Sequence, residues 1–134
     1  MTAKEYLQQA YKLERQIKLD ELKLEAMRSS VYGSSINYEY SGGQNGQKDG
    51  FSLALANVMA YETYVKGEIY TLTQKRVEIE KTINTVSDDV QKEILTRRYL
   101  LYQKWELIAV EMDRDLRWIY RLHGKALENL KIDH

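Results

Sequence analysis

A regular apolar repeat from Phe51 to Val86 constrains the fold of this chain more than any other feature. Apolar side chains recur there at alternating intervals of three and four residues, and polar residues interrupt the seam only at Glu62 and Arg76. This spacing places the apolar side chains on one side of an α-helix that packs lengthwise on a neighbour. The helix would be about 50 Å long at ~1.5 Å per residue, which is too long for a globular core of this size. We therefore expect it to pair with another helix.

A second stretch with the same spacing, from Ala3 to about Arg28, supplies the nearest candidate neighbour. The two helices could form an antiparallel hairpin, the long helix could pair with another subunit, or both arrangements could occur together. Glu62 and Arg76 would then fix the register of pairing. The residues that we expect to mediate oligomerisation all lie on these seams: Leu13, Ile17, Leu24, Val58, Val65, Ile69, Leu72 and Ile79.

The segment between the two repeats has a different composition. Residues 29–50 are rich in Ser, Gly, Asn and Gln and show no helical period. This pattern predicts a flexible loop at about 29–50. A loop of that length in a small protein is either a mobile linker or a segment that contacts a partner.

The rest of the composition favours helices and a reducing compartment. The chain has no proline and no cysteine, so disulfides and thiolate metal sites are excluded. Its first residues contain neither an apolar signal core nor a run that could span a bilayer, so we expect a cytoplasmic protein without membrane contacts. The predicted fold is all-α, with a long N-terminal helical hairpin or coiled coil over residues 1–86. A three-helix bundle containing a helix-turn-helix would follow over residues 87–134.

The helix-turn-helix is predicted from residues 105–130. A short apolar helix pattern around Ile108 ends at a polar break, and Asp115 is a suitable N-cap for a second, longer helix. On that helix Ile119, Leu122, Ala126 and Leu130 share one face, which leaves a basic face opposite.

The basic face suggests contact with DNA, although the formal net charge of the chain is zero. Residues 92–131 hold nine lysines and arginines against six acidic residues, so the positive charge is concentrated near the C-terminus. Arg117 and Arg121 are one turn apart and could reach bases or phosphates in a major groove, or form an ordinary solvated face. Trp118 could touch DNA or be half-buried against a neighbouring helix. The full set of candidate DNA-binding residues is Lys104, Arg98, Arg114, Arg117, Trp118, Arg121 and Lys125.

This C-terminal stretch resembles region 4 of bacterial primary sigma factors. The counterparts here are Leu107 to Ala109 in the first helix, Asp115 at the turn, Arg117 to Arg121, and the pair Ala126-Leu127. It is also similar to small regulators from phages of Gram-positive bacteria, the ArpU and RinA-like late-transcription activators. That second likeness is carried by RRYL before the motif, by WELIA, and by YRLHGKAL over residues 120–127.

The resemblance implies a sequence-specific DNA-binding regulator, in particular an activator of phage late genes. Such a protein would bind double-stranded DNA as a homodimer or higher homo-oligomer that reads two half-sites, and it could contact host RNA polymerase. The alternatives are a small terminase-like packaging protein and a coiled-coil adaptor whose helix-turn-helix binds protein.

The sequence gives no support for an enzyme, a cofactor or a metal site. No nucleophile-elbow serine, phosphate loop or pair of acids in a plausible cleft is present, and the chain has only two histidines. His123 is a lone imidazole at the edge of the apolar face of the second helix. We expect it to be packed and hydrogen-bonded rather than bound to metal.

Overall fold

A computed structural model describes residues 1–40 and 45–132, with side chains over 1–33 and 50–132. Within these ranges the chain forms six helices and no strand: α1 (Ala3–Leu7), α2 (Gln9–Tyr40), α3 (Asn45–Ile83), α4 (Asp89–Tyr99), α5 (Trp105–Glu111) and α6 (Leu116–Asn129). The predicted all-α class is confirmed. Across the described residues, every helix is too short or too polar to cross a lipid bilayer.

The predicted loop at residues 29–50 is wrong over most of its length. Helix α2 continues to Tyr40 and α3 begins at Asn45, so only residues 41–44 of the predicted loop lie outside the described residues. Val31 is 8% exposed and extends the seven-residue spacing of Ile17 and Leu24. Burial of this extended seam offsets the low helix propensity of the serines and glycine around it, because tertiary packing supplies most of the stability of a helix in a protein.

The chain divides into two compact units. The bundle unit comprises Met1–Glu14 and Leu72–His134, and the hairpin unit comprises Arg15–Thr71. This division differs from the predicted boundary at residue 86, which assigned both long helices to one domain. The difference arises because the first residues of the chain and the last turns of α3 pack within the bundle unit.

The hairpin unit consists of residues of α2 and α3 that run antiparallel. Arg28 donates to Glu62 Oε1 at 2.9 Å, whereas Asp20, earlier in α2, lies beside Glu68, later in α3. Glu62, predicted to fix register, therefore has its ion-pair partner in the same chain. The apolar core of this unit is formed by Leu24, Val31, Val58 and Val65.

Asp20 is a buried acid on the seam of the hairpin unit. It is 2% exposed and accepts hydrogen bonds from Gln16, Lys23 and Tyr61. Its second oxygen and one oxygen of Glu68 are buried and have no hydrogen-bond partner. Burial and the neighbouring Asp20 carboxylate raise the pKa of Glu68.

The first helix of the bundle unit is α1, and a capping box between Thr2 and Glu5 stabilises its N-terminus. The Tyr6 hydroxyl lies 3.0 Å from Glu78 Oε1 and 3.0 Å from Thr82 Oγ1, which fastens α1 to the end of α3. Arg76, the second predicted register residue, donates to Glu14 at 3.2 Å and to the Tyr102 hydroxyl at 3.3 Å.

Most of the residues predicted to mediate oligomerisation are buried by packing within a single chain. Leu13 is half-buried and Ile69 is exposed, whereas the other six are buried: Ile17, Leu24, Val58, Val65, Leu72 and Ile79. A buried side chain is not available to a second subunit without unfolding, so an oligomer of the folded chain would use other surfaces. The homo-oligomer itself stays a prediction.

Candidate nucleic-acid interface

The turn between α5 and α6 has the local structure that the sequence predicts. Helix α5 ends at Glu111, and Asp113 adopts a φ of 54° that turns the chain away from the helix. The Arg114 amide then donates to the Ala109 carbonyl at 3.0 Å and satisfies one of the last acceptors of α5. Asp115 caps α6 by accepting from the Trp118 amide at 2.7 Å. The predicted cap at Asp115 is therefore confirmed.

A small core fixes the orientation of α6. Ile94 of α4, Ile108 and Ala109 of α5, and Ile119 of α6 are buried together. Partly buried apolar side chains surround them: Trp105, Met112, Leu116, Trp118 and Leu122. Because the inner face of α6 is held by this core, the side chains on its opposite face have a defined direction.

The outer face of α6 is basic over its first turns. Arg117, Arg121 and Lys125 are all exposed and follow one another at intervals of one turn. Arg114, also exposed, precedes the helix. Glu128 lies farther along the same side, so the positive charge is concentrated in the N-terminal two thirds of α6.

Trp118 is half-buried, which is one of the two positions that the sequence allows. Its ring packs against the apolar core of the bundle unit, and the Arg114 guanidinium carbon lies 4.8 Å from the ring centroid. A cation over an aromatic face is attracted by the electron density of the ring. Trp118 therefore positions Arg114 beside the start of α6, and part of its own surface remains accessible.

Arg98 and Lys104, the two candidates that precede α5, have different surroundings. Arg98 Nη1 donates to the Gln103 carbonyl at 2.9 Å, and its guanidinium lies 4.6 Å from the Trp105 ring centroid. The half-buried Arg98 guanidinium therefore stabilises the connection between α4 and α5. Lys104, by contrast, is exposed at the N-cap position of α5, and its side chain makes no capping bond.

His123 projects inward from α6, as expected, and lies off the basic face. Its Nε2 is 2.7 Å from the Tyr99 hydroxyl, and its ring packs edge-on against Trp105 at 4.6 Å between centroids. Burial lowers the pKa of His123 to about 4, with smaller contributions from the charges of Lys4 and Arg98. The imidazole is therefore neutral near pH 7 and serves packing. The described residues contain no cluster of His, Asp and Glu that could hold a metal ion.

Tyr120 is a further candidate that the sequence interpretation did not include. It is exposed, lies on α6 one turn from Arg117 and Gly124, and its ring packs on the edge of Trp105 at 5.4 Å. The three-residue interval from Arg117 could have identified it. A hydroxyl held on a supported ring is a suitable donor to a phosphate oxygen.

Comparison of the chain with protein-family models, with curated proteins and with solved structures finds no match in any of the three. The resemblance to sigma region 4 and to the ArpU and RinA-like activators therefore stays a prediction.

Proposed function

We propose that this chain is a sequence-specific DNA-binding transcriptional regulator that reads the major groove with α6. The observation that carries the proposal is the exposed row of Arg117, Arg121 and Lys125 on the second helix of a helix-turn-helix. In such motifs the N-terminal residues of the second helix contact base edges, and here those residues carry the positive charge.

The arginines and the lysine have different parts in this proposal. Arg117 and Arg121 can each donate two parallel hydrogen bonds to a guanine edge, and each such contact discriminates by ~1–3 kcal/mol against the wrong base. Arg114 and Lys125 lie at the two ends of the basic row, and Lys104 is exposed at the start of α5. In the proposal these three bind phosphates and set the position of the helix in the groove.

The proposed regulatory role rests on the resemblance rather than on the fold. The likeness of RRYL, WELIA and YRLHGKAL to phage late-gene activators supports transcription activation as the consequence of DNA binding. The likeness to sigma region 4 supports contact with host RNA polymerase. Failure of the protein to co-purify with polymerase on promoter DNA would contradict that contact.

The test is binding of the purified protein to promoter-region fragments from its source genome and to scrambled DNA, measured by fluorescence anisotropy. Arg117→Ala/Arg121→Ala should weaken specific binding at least about tenfold, since two base contacts are lost. Lys12→Ala/Lys81→Ala is the matched control, because it removes two exposed cations outside the helix-turn-helix.

Salt dependence separates base contacts from phosphate contacts. Lys125→Ala should lower the slope of log affinity against log salt by about 1 between roughly 50 and 200 mM. Selective binding that is lost in the arginine variant and kept in the control would support the proposal. Equal binding of all fragments, or equal binding by both double variants, would refute it.

A second candidate is a protein adaptor that uses the helix-turn-helix as a docking unit. Val110 and Leu107 on α5 are exposed although they are apolar, and an exposed apolar pair is often a contact site for protein. Val110→Lys should leave DNA binding unchanged if α6 is the functional surface.

A further inference from the structure

The outer face of α3 carries no charge between Leu53 and Tyr70. This face consists of Leu53, Ala56, Ala60, Thr63, Gly67 and Tyr70, all exposed, at alternating intervals of three and four residues. It lies opposite Val58 and Val65, which are buried against α2. A solvated helix face normally carries charged side chains, so an uncharged one of five turns is a candidate contact surface.

Side-chain size on this face is symmetric about its midpoint. Large residues stand at the two ends, at Leu53 and Tyr70, and small residues lie between them. An antiparallel copy centred between Ala60 and Thr63 would place Leu53 beside Tyr70 of the copy, Ala56 beside Gly67, and Ala60 beside Thr63. A surface that matches itself in this way is what a two-fold interface requires.

Gly67 is not explained by the packing of its own chain. A Cβ added there would meet nothing within 4 Å, and the residue lies in the interior of a long helix, where glycine is unfavourable. Close approach of a second helix would account for it, because small residues allow two helix backbones to come together.

We propose that the outer face of α3 is the surface on which two copies of this chain pair antiparallel. The charge pattern agrees with this pairing. Among residues 53–70 the one exposed charged residue is Lys66. Antiparallel pairing separates its two copies by roughly 13 Å along the helix axis, beyond the ~10 Å range of unscreened repulsion. Parallel pairing would bring them together.

The available area suits a weak dimer. Leu53, Met59, Tyr64 and Tyr70 are each more than half exposed on this side of α3. Together with the small residues they can supply on the order of 600 Å² per copy, given about 150–250 Å² for a whole aromatic side chain. Standard interfaces bury about 800 Å² per partner, so we expect a dissociation constant in the micromolar range.

Sedimentation velocity of the full chain up to about 100 µM tests the pairing. The wild type should be a dimer at the upper concentrations, and Ala60→Glu should raise the dissociation constant at least about tenfold, because it places a charge in the centre of the face. Leu22→Glu is the control, since Leu22 is exposed on α2 of the same unit. A monomeric wild type, or an Ala60→Glu variant that dimerises normally, would overturn the proposal.

Cross-linking tests the direction of pairing, and the chain has no cysteine of its own to interfere. A mixture of Leu53→Cys and Tyr70→Cys chains should form a disulfide-linked pair on oxidation, whereas neither variant alone should. Two copies of residue 53 would lie roughly 25 Å apart in the antiparallel pair, far beyond disulfide reach. Links within each variant alone would show parallel pairing and refute the proposal. Neither experiment uses DNA, so its outcome is independent of the proposed function.

Discussion

Protonation of His123 should destabilise the bundle unit in mild acid. In the folded chain burial lowers the pKa of His123 to about 4, whereas its ordinary value is 6.5. As the pH falls below 6.5 the unfolded chain therefore binds a proton that the folded chain excludes. The contribution of neutral His123 to the free energy of unfolding is fully present above about pH 6.5 and is lost as the pH falls toward 4.

The size of the loss follows from the difference in pKa. One pKa unit corresponds to about 1.4 kcal/mol, and pH 4.5 lies about two units below the ordinary pKa and still above the folded one. The free energy of unfolding is therefore lowered by about 2.5 kcal/mol at pH 4.5. The ring is partly exposed, and solvent screening reduces this to about 2 kcal/mol. Such a loss is a large part of the ~5–15 kcal/mol that stabilises a typical domain.

The assay is urea unfolding followed by tryptophan fluorescence at about pH 7.5 and pH 4.5, for the wild type and for His123→Gln. Carboxyl groups titrate in both proteins, so the informative quantity is the difference between their pH dependences. The wild type should lose about 2 kcal/mol more than the variant. An equal loss in both proteins would refute the assigned role of His123.

Three further predictions concern packing, capping and the buried acid pair. Ile119→Ala should lower the free energy of unfolding by about 2–5 kcal/mol in urea titrations, because Ile119 is fully buried at the centre of the three-helix core. Asp115→Ala removes the α6 N-cap and should cost about 0.5–2 kcal/mol, and Asp115→Asn should restore most of it. Glu68→Gln should raise the melting temperature more at pH 8 than at pH 5. The raised pKa of Glu68 means that folding becomes less favourable as pH rises through the ordinary carboxyl range, and the uncharged amide removes this dependence and offers a donor to the buried Asp20 oxygen. An unchanged melting temperature at both pH values would contradict the raised pKa of Glu68.

The candidate interface could largely be predicted from the sequence. The spacing of Ile119, Leu122 and Ala126 defines the inner face of α6, and Asp115 marks its first turn, so the outward direction of Arg117 and Arg121 follows. The surroundings of Arg98 could not be predicted in this way. Its contacts with Trp105 and the Gln103 carbonyl depend on the path of the α4–α5 connection, which no local pattern encodes.

The sequence by itself determined that the two regular apolar repeats form helices and which side of each of these helices is apolar. The seven-residue spacing of Val58, Val65 and Leu72 does this for α3, because side chains that recur with the period of a helix must share one face. The period does not show which other helix packs against that face. Only the tertiary structure decided that α2 of the same chain covers Val58 and Val65. It also decided that α2 continues through the polar segment around Val31, where burial of Val31 stabilises the helix. The reason is physical: burial depends on contacts between residues distant in sequence, whereas propensity depends on neighbours along the chain.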